Sequence, residues 1–130
     1  MRPPPDPHRF ILKVAPEIGE IADFDFVMLM NKDSTNINHE DWVTIVEAIY
    51  SRSDKYRGFV IAHGTDTIHF TASAVAFALG NNLNLPVLFT GAQTNPDIRQ
   101  GDARVNLVRA FQVCATDLAE VAICSPPDLQ

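Results

Sequence analysis

Gly58-Phe59-Val60-Ile61-Ala62-His63-Gly64-Thr65-Asp66-Thr67 is the stretch whose reading decides the fold. It opens as a short apolar run of β-branched and aromatic residues, the composition of a buried strand, and breaks at Gly64. From there Ile68, Ala72, Val75, Ala76 and Leu79 recur at helical spacing. Thr65, Asp66 and Thr67 therefore fall in a strand-to-helix turn. In open parallel α/β sheets such turns lie at the carboxyl edge, where ligands bind. Amide groups at a helix start favour negative charge and would hold Asp66 ionised and oriented. Capping the helix needs one polar side chain. Here His63, Thr65, Asp66 and Thr67 crowd around one glycine, which points to a site.

Upstream, Ile18 to Met30 reads as a strand or strand pair, alternating through Phe26 and continuously apolar from Val27. It runs into Asp33-Ser34-Thr35-Asn36, a second polar loop of the same strand-to-helix kind. Asn38 is a good cap for the next helix, with Glu40 and Asp41 in its first turn. Trp42, Ile45, Val46 and Ile49 form its buried stripe, and it runs to about Ser51. Before all this, Met1 to Arg9 is proline-rich and predicted extended or disordered, and Phe10 to Glu17, with Ile11, Leu12, Val14 and Ala15, reads as one helical turn or a docking segment before Pro16.

Downstream, Gly80-Asn81-Asn82 signals a left-handed helix cap, and Leu85 to Phe89 gives another buried strand. That strand stops at Thr90-Gly91-Ala92-Gln93, and a polar loop leads to Asp102. Asp102 is placed to cap a helix from Ala103 to Ala115, with Leu107, Val108, Phe111 and Cys114 on its apolar face. Leu118 to Cys124 is the last strand, and Pro126 and Pro127 end regular structure. The alternation of strands and helices predicts an α/β fold of three layers. A mostly parallel sheet carries helices on both faces, joined by right-handed crossovers. Residues 1–17 form a poorly ordered lead, 18–124 the domain and 125–130 a tail.

At 130 residues and 46% hydrophobic, the chain can bury one core. A net charge of −6 argues against a nucleic-acid or anionic-membrane partner. The amino terminus has no apolar signal core and no run is long enough to span a bilayer, so a soluble, cytoplasmic protein is expected. Cys114 and Cys124 match neither a redox pair nor a zinc spacing and read as buried free thiols. The four histidines are dispersed, so no metal is expected. The glycines meet neither the dinucleotide nor the P-loop spacing, which sets aside a nucleotide-binding domain; no cofactor is expected.

His63-Gly64-Thr65-Asp66-Thr67 resembles the second signature of the bacterial-type L-asparaginase family, which includes the D-type component of archaeal glutamyl-tRNA amidotransferase. Asp33-Ser34-Thr35-Asn36 resembles that family's substrate-carboxylate loop. Thr90-Gly91-Ala92-Gln93, with Gly101 to Leu107, resembles its third block. The resemblance covers about Ile18 to Ile123 and implies a Rossmann-like amino-terminal domain. It implies catalytic roles for Thr65 and Asp66, substrate binding by Ser34, Thr35, Thr65 and Asp66, and support from His63, Gly64, Ala92 and Gln93. A carboxylate to grip an ammonium, set against hydroxyls and turn amides to hold a carboxylate, would select a small zwitterion, asparagine ahead of glutamine.

The resemblance is incomplete at both ends. The family's first nucleophilic threonine, in a Thr-Gly-Gly-Thr-like block on a first strand, has no counterpart here, nor has the lysine that lies beyond Cys124 in relatives. The expectation is an asparaginase-type amidohydrolase piece, inactive alone, with an uncovered sheet edge that favours self-association. Homo-oligomerisation belongs to the full-length family protein. Two other readings compete: an amidotransferase component releasing ammonia from glutamine, and a non-catalytic domain that binds an amino acid or a partner.

Overall fold

The computed structural model describes residues 6–30, 34–64, 67–80, 83–91, 100–116 and 120–124, with side chains at all of these except 7, 14, 34 and 100–104. In chain order the elements are α1 (Pro7–Val14), α2 (Ile18–Ile21), α3 (His39–Arg52), β1 (Phe59–His63), α4 (Ile68–Leu79), β2 (Val87–Gly91), α5 (Gln100–Cys114) and β3 (Val121–Cys124). A 3₁₀ turn, Ser34–Asn36, precedes α3. The strands form one parallel sheet in the order β1-β2-β3.

Side-chain alternation divides the sheet into two faces. Phe59, Ile61, Val87, Phe89 and Val121 pack with Ile45 and Ile49 of α3 and with Ile68, Ala72, Val75 and Leu79 of α4. Val60 packs on the other face with Phe111, Leu107 and Val108 of α5 and with Ile11, Ala15 and Ile18. The middle strand is the most enclosed: Val87 and Phe89 are 0% exposed and Leu88 is 1% exposed. This is the expected three-layer α/β arrangement.

The handedness of its connections departs from expectation. The β1-to-β2 connection runs through α4 on one face, and the β2-to-β3 connection runs through α5 on the other. Both step the same way across the sheet. Two crossovers that advance in one direction on opposite faces have opposite hands. One of them is therefore left-handed, against a preference of about 98% for right-handed units.

Three further expectations change. Pro7 to Arg9 are helical, not extended. Asp6 caps α1, its carboxylate accepting from the Arg9 amide at 3.1 Å, and Pro7 sits at the first helical position, where its missing N–H costs nothing. The helix positions Ile11 and Ala15 against Ile18 and Phe111. The segment from Ile18 to Met30 is not a strand. Ile18 to Ile21 form a helical turn with Ile18 fully buried, and residues 22–30 pair with no strand among the described residues. A ladder needs a partner edge, and side chains hold this segment instead. The His8 ring stacks on Phe24 at 4.2 Å and its Nε2 donates to the Phe24 carbonyl at 3.1 Å. The Tyr56 hydroxyl donates to Asp25 at 2.5 Å, a bond that raises the Tyr56 pKa. Phe26, Val27, Met28 and Leu29 are left exposed. Finally, α5 begins at Gln100, so Asp102 lies inside its first turn and is not its cap.

Gly80 ends α4 with a φ of 52°, a region that side chains rarely adopt. The two cysteines are free and half-buried, less enclosed than expected. Cys114 donates to the Phe59 carbonyl at 3.4 Å, and burial, aided by the charge of Cys124, pushes its thiol up from 9.0 to about 12. The unfolded chain loses that proton near the ordinary value while the folded chain keeps it. Stability is therefore full below about pH 9 and declines as pH rises toward 12. A thiol probe at pH 8 is expected to label Cys114 slowly when folded and rapidly in denaturant; equal rates would contradict this environment.

Candidate functional site

The carboxyl ends of β1 and β2 lie side by side, with His63 opposite Gly91 in the parallel register. The helices that follow these neighbouring ends, α4 and α5, pack on opposite faces of the sheet. Neighbouring strands whose following helices lie on opposite faces mark the topological position where α/β sheets bind ligands. The opposite-handed crossovers thus have a local consequence: they put that position at the carboxyl ends of β1 and β2.

The start of α3 stands beside the start of α4. Asn38 and Asp41 form a capping box: the Asp41 amide donates to the Asn38 side chain at 3.1 Å, and the Asn38 amide donates to the Asp41 carboxylate at 3.0 Å. In the next turn the Trp42 indole N–H donates to Thr71 Oγ1 at 3.0 Å, joining the early turns of α3 and α4. Thr71 is 0% exposed. The Ser34–Asn36 turn just before α3 is thereby held at the same end of the molecule as Thr67, the N-cap of α4. Trp42→Phe removes the donor and leaves the Thr71 hydroxyl buried. It is expected to lower stability by about 1–3 kcal/mol in urea denaturation. An unchanged midpoint would show that the bond does not join the helices.

Among the predicted site residues, the backbone of Ser34 and Thr35 forms that 3₁₀ turn, with Thr35 exposed. His63 closes β1 and is 7% exposed, with Gly64 following it. Its Nδ1 lies 2.6 Å from the Gly64 carbonyl, and the ring meets Phe89 edge-on at 6.3 Å. Thr65, Asp66, Ala92 and Gln93 lie outside the described residues. Sequence reading missed the Trp42–Thr71 link, because Trp42 carries only the signal of a buried stripe. No group of three or more His, Cys, Asp or Glu among the described residues is placed to hold a metal. No helix among them is long and apolar enough to cross a membrane. A shallow cleft lined by Ile49, Tyr50, Leu79, Leu83 and Leu85 lies at the opposite end, where α3 and α4 finish.

Residues 6–127 match the family described as Asparaginase, N-terminal. The chain is 37% identical over 114 residues to the D-type component of the glutamyl-tRNA(Gln) amidotransferase of Archaeoglobus fulgidus, covering 88% of this chain and 27% of that protein. It is 42% identical over 100 residues to L-asparaginase 1 of Escherichia coli K12, covering 77% of this chain and 29% of that one. Among solved structures, L-asparaginase I from Vibrio cholerae matches with a TM-score of 0.63 at 42% identity, over 71% of this chain and 28% of that one. A probable cytoplasmic L-asparaginase from Campylobacter jejuni matches with a TM-score of 0.76 at 27% identity, over 88% and 37% respectively. The chain thus spans little more than a quarter of the curated relatives' length, at 27% and 29%. With a family match over residues 6–127 and a sheet that superimposes on two asparaginases, the chain belongs to the asparaginase family, within its N-terminal domain.

Proposed function

We propose that the chain carries the amino-acid-binding half of an asparaginase-type amidohydrolase site, whose reaction converts L-asparagine and water to L-aspartate and ammonia. The observation that carries this reading is that the helices following the neighbouring ends of β1 and β2 pack on opposite faces, beside the joined starts of α3 and α4. Ser34, Thr35 and the adjoining turn amides take the substrate α-carboxylate, and Asp66 takes its ammonium. Opposite charges held at a fixed separation select a small zwitterion over a peptide or a simple amide. Thr65 takes the second catalytic role, handling a proton beside the reacting amide. Attack on that amide needs an activated nucleophile as well. In this reading the first nucleophilic threonine and the lysine lie outside the chain, so binding here proceeds without turnover. Homo-oligomerisation and a cytoplasmic location belong to the full-length protein of the same reading.

Calorimetry with L-aspartate and L-asparagine, beside an ammonia assay, tests this. Saturable binding without ammonia release is expected. Absence of binding would overturn the amino-acid site, and catalytic ammonia release lost in Thr65→Ala would overturn the half-site. The match to a glutamyl-tRNA(Gln) amidotransferase component supports a second reading, in which glutamine is the ammonia source. Preferential binding of glutamine would favour it.

A further inference from the structure

His63 is 7% exposed, and two facts about its ring do not follow from packing. Its Nδ1 lies 2.6 Å from the Gly64 carbonyl oxygen. A carbonyl can only accept, so Nδ1 carries a proton. The ring Nε2 is buried and has no hydrogen-bond partner among the described residues. An unpaired buried ring nitrogen is a cost that a phenylalanine of similar shape, edge-on to Phe89, would avoid. Among the described residues the histidine contributes one thing that a phenylalanine cannot, a donor for the Gly64 carbonyl.

We propose that His63 is a positioning residue for the amino-acid site: its Nδ1–H holds the Gly64 carbonyl and sets the peptide plane leading into Thr65 and Asp66. Glycine leaves the backbone permissive at the point where the strand ends and the turn begins. The peptide is planar, so fixing the direction of its carbonyl also fixes the direction of the amide that follows. A hydrogen bond from the last strand residue to the next carbonyl removes that freedom before ligand arrives. The inference rests on the amino-acid-binding reading for its purpose, but the bond and its effect on the turn are measurable without ligand.

The ring nitrogens of ¹⁵N-labelled protein come first: the proton is expected on Nδ1, and an Nε2–H tautomer would overturn the proposal. Two variants then separate positioning from packing. His63→Asn puts a side-chain N–H near the place of Nδ1, whereas His63→Phe keeps the ring and loses the donor. The amide resonances of Thr65 and Asp66 are expected to stay near wild type in His63→Asn and to move in His63→Phe. Aspartate affinity should follow, nearly unchanged in the first and about tenfold weaker in the second, the size of one net hydrogen bond. A packing role gives the reverse order, and that result, or equal behaviour of the two variants, would overturn the proposal. If the wild type binds no aspartate, the amino-acid reading fails while the tautomer and the amide resonances still decide the positioning role.

Discussion

Asp66→Asn is expected to weaken L-aspartate binding by about 10- to 150-fold. The substitution keeps the size of the side chain, removes its charge and replaces one acceptor oxygen with an NH2 donor. A hydrogen bond to a charged group contributes about 1.5–3 kcal/mol, and each 1.4 kcal/mol is a factor of ten. In the proposed site that charge faces the ligand ammonium. Asp54→Asn is the control, since Asp54 is an exposed residue of the connector between α3 and β1. It should leave affinity unchanged. Equal loss in both variants would mean that the acidic surface as a whole attracts the ligand. No loss in Asp66→Asn would remove Asp66 from the site.

Phe89→Ala is expected to destabilise the fold by about 3–5 kcal/mol in urea denaturation. Phe89 is 0% exposed in the middle strand, with Ile61 and Ile123 as its register neighbours and the His63 ring edge-on at 6.3 Å. Removing the ring leaves a cavity where β1, β2 and α4 meet. Domains of this kind have about 5–15 kcal/mol in all, so a large share would be lost. Phe77→Ala is the contrast: Phe77 is 91% exposed, and its loss should change stability by no more than about 0.5 kcal/mol. A small effect at Phe89 would move the core away from the β2 face.

Both expectations rest on elements that the sequence makes legible to different degrees. The strand ending at His63 and the helix from Ile68 to Leu79 are read to the residue or nearly so, because each has a strong period and a glycine separates them. Asn38 declares the start of α3, although its reciprocal bond with Asp41 appears only in three dimensions. Helix α1 was legible and overlooked: Asp6 followed by Pro7 is a start signal, masked by the surrounding prolines. Ile18 to Met30 misled for a different reason. Its apolar spacing fits a strand, but a strand exists only beside another, and local pattern carries no information about a partner edge. The opposite-handed crossovers were equally hidden, since alternation gives the layers and not the face on which each helix returns. Of the site, the polar turns were visible as composition. The Trp42–Thr71 bond joins residues 29 apart in sequence, and the His63 bond turns on the direction of one carbonyl.

The central claim is that the carboxyl ends of β1 and β2 take a small zwitterionic amino acid. Titration of ¹⁵N-labelled protein with L-aspartate, followed through backbone amide shifts, tests it most directly. The shifts are expected to concentrate in residues 34–38, 63–68 and 90–93. Shifts confined to the opposite cleft, at Ile49, Tyr50, Leu83 and Leu85, or no saturable shift at all, would contradict it.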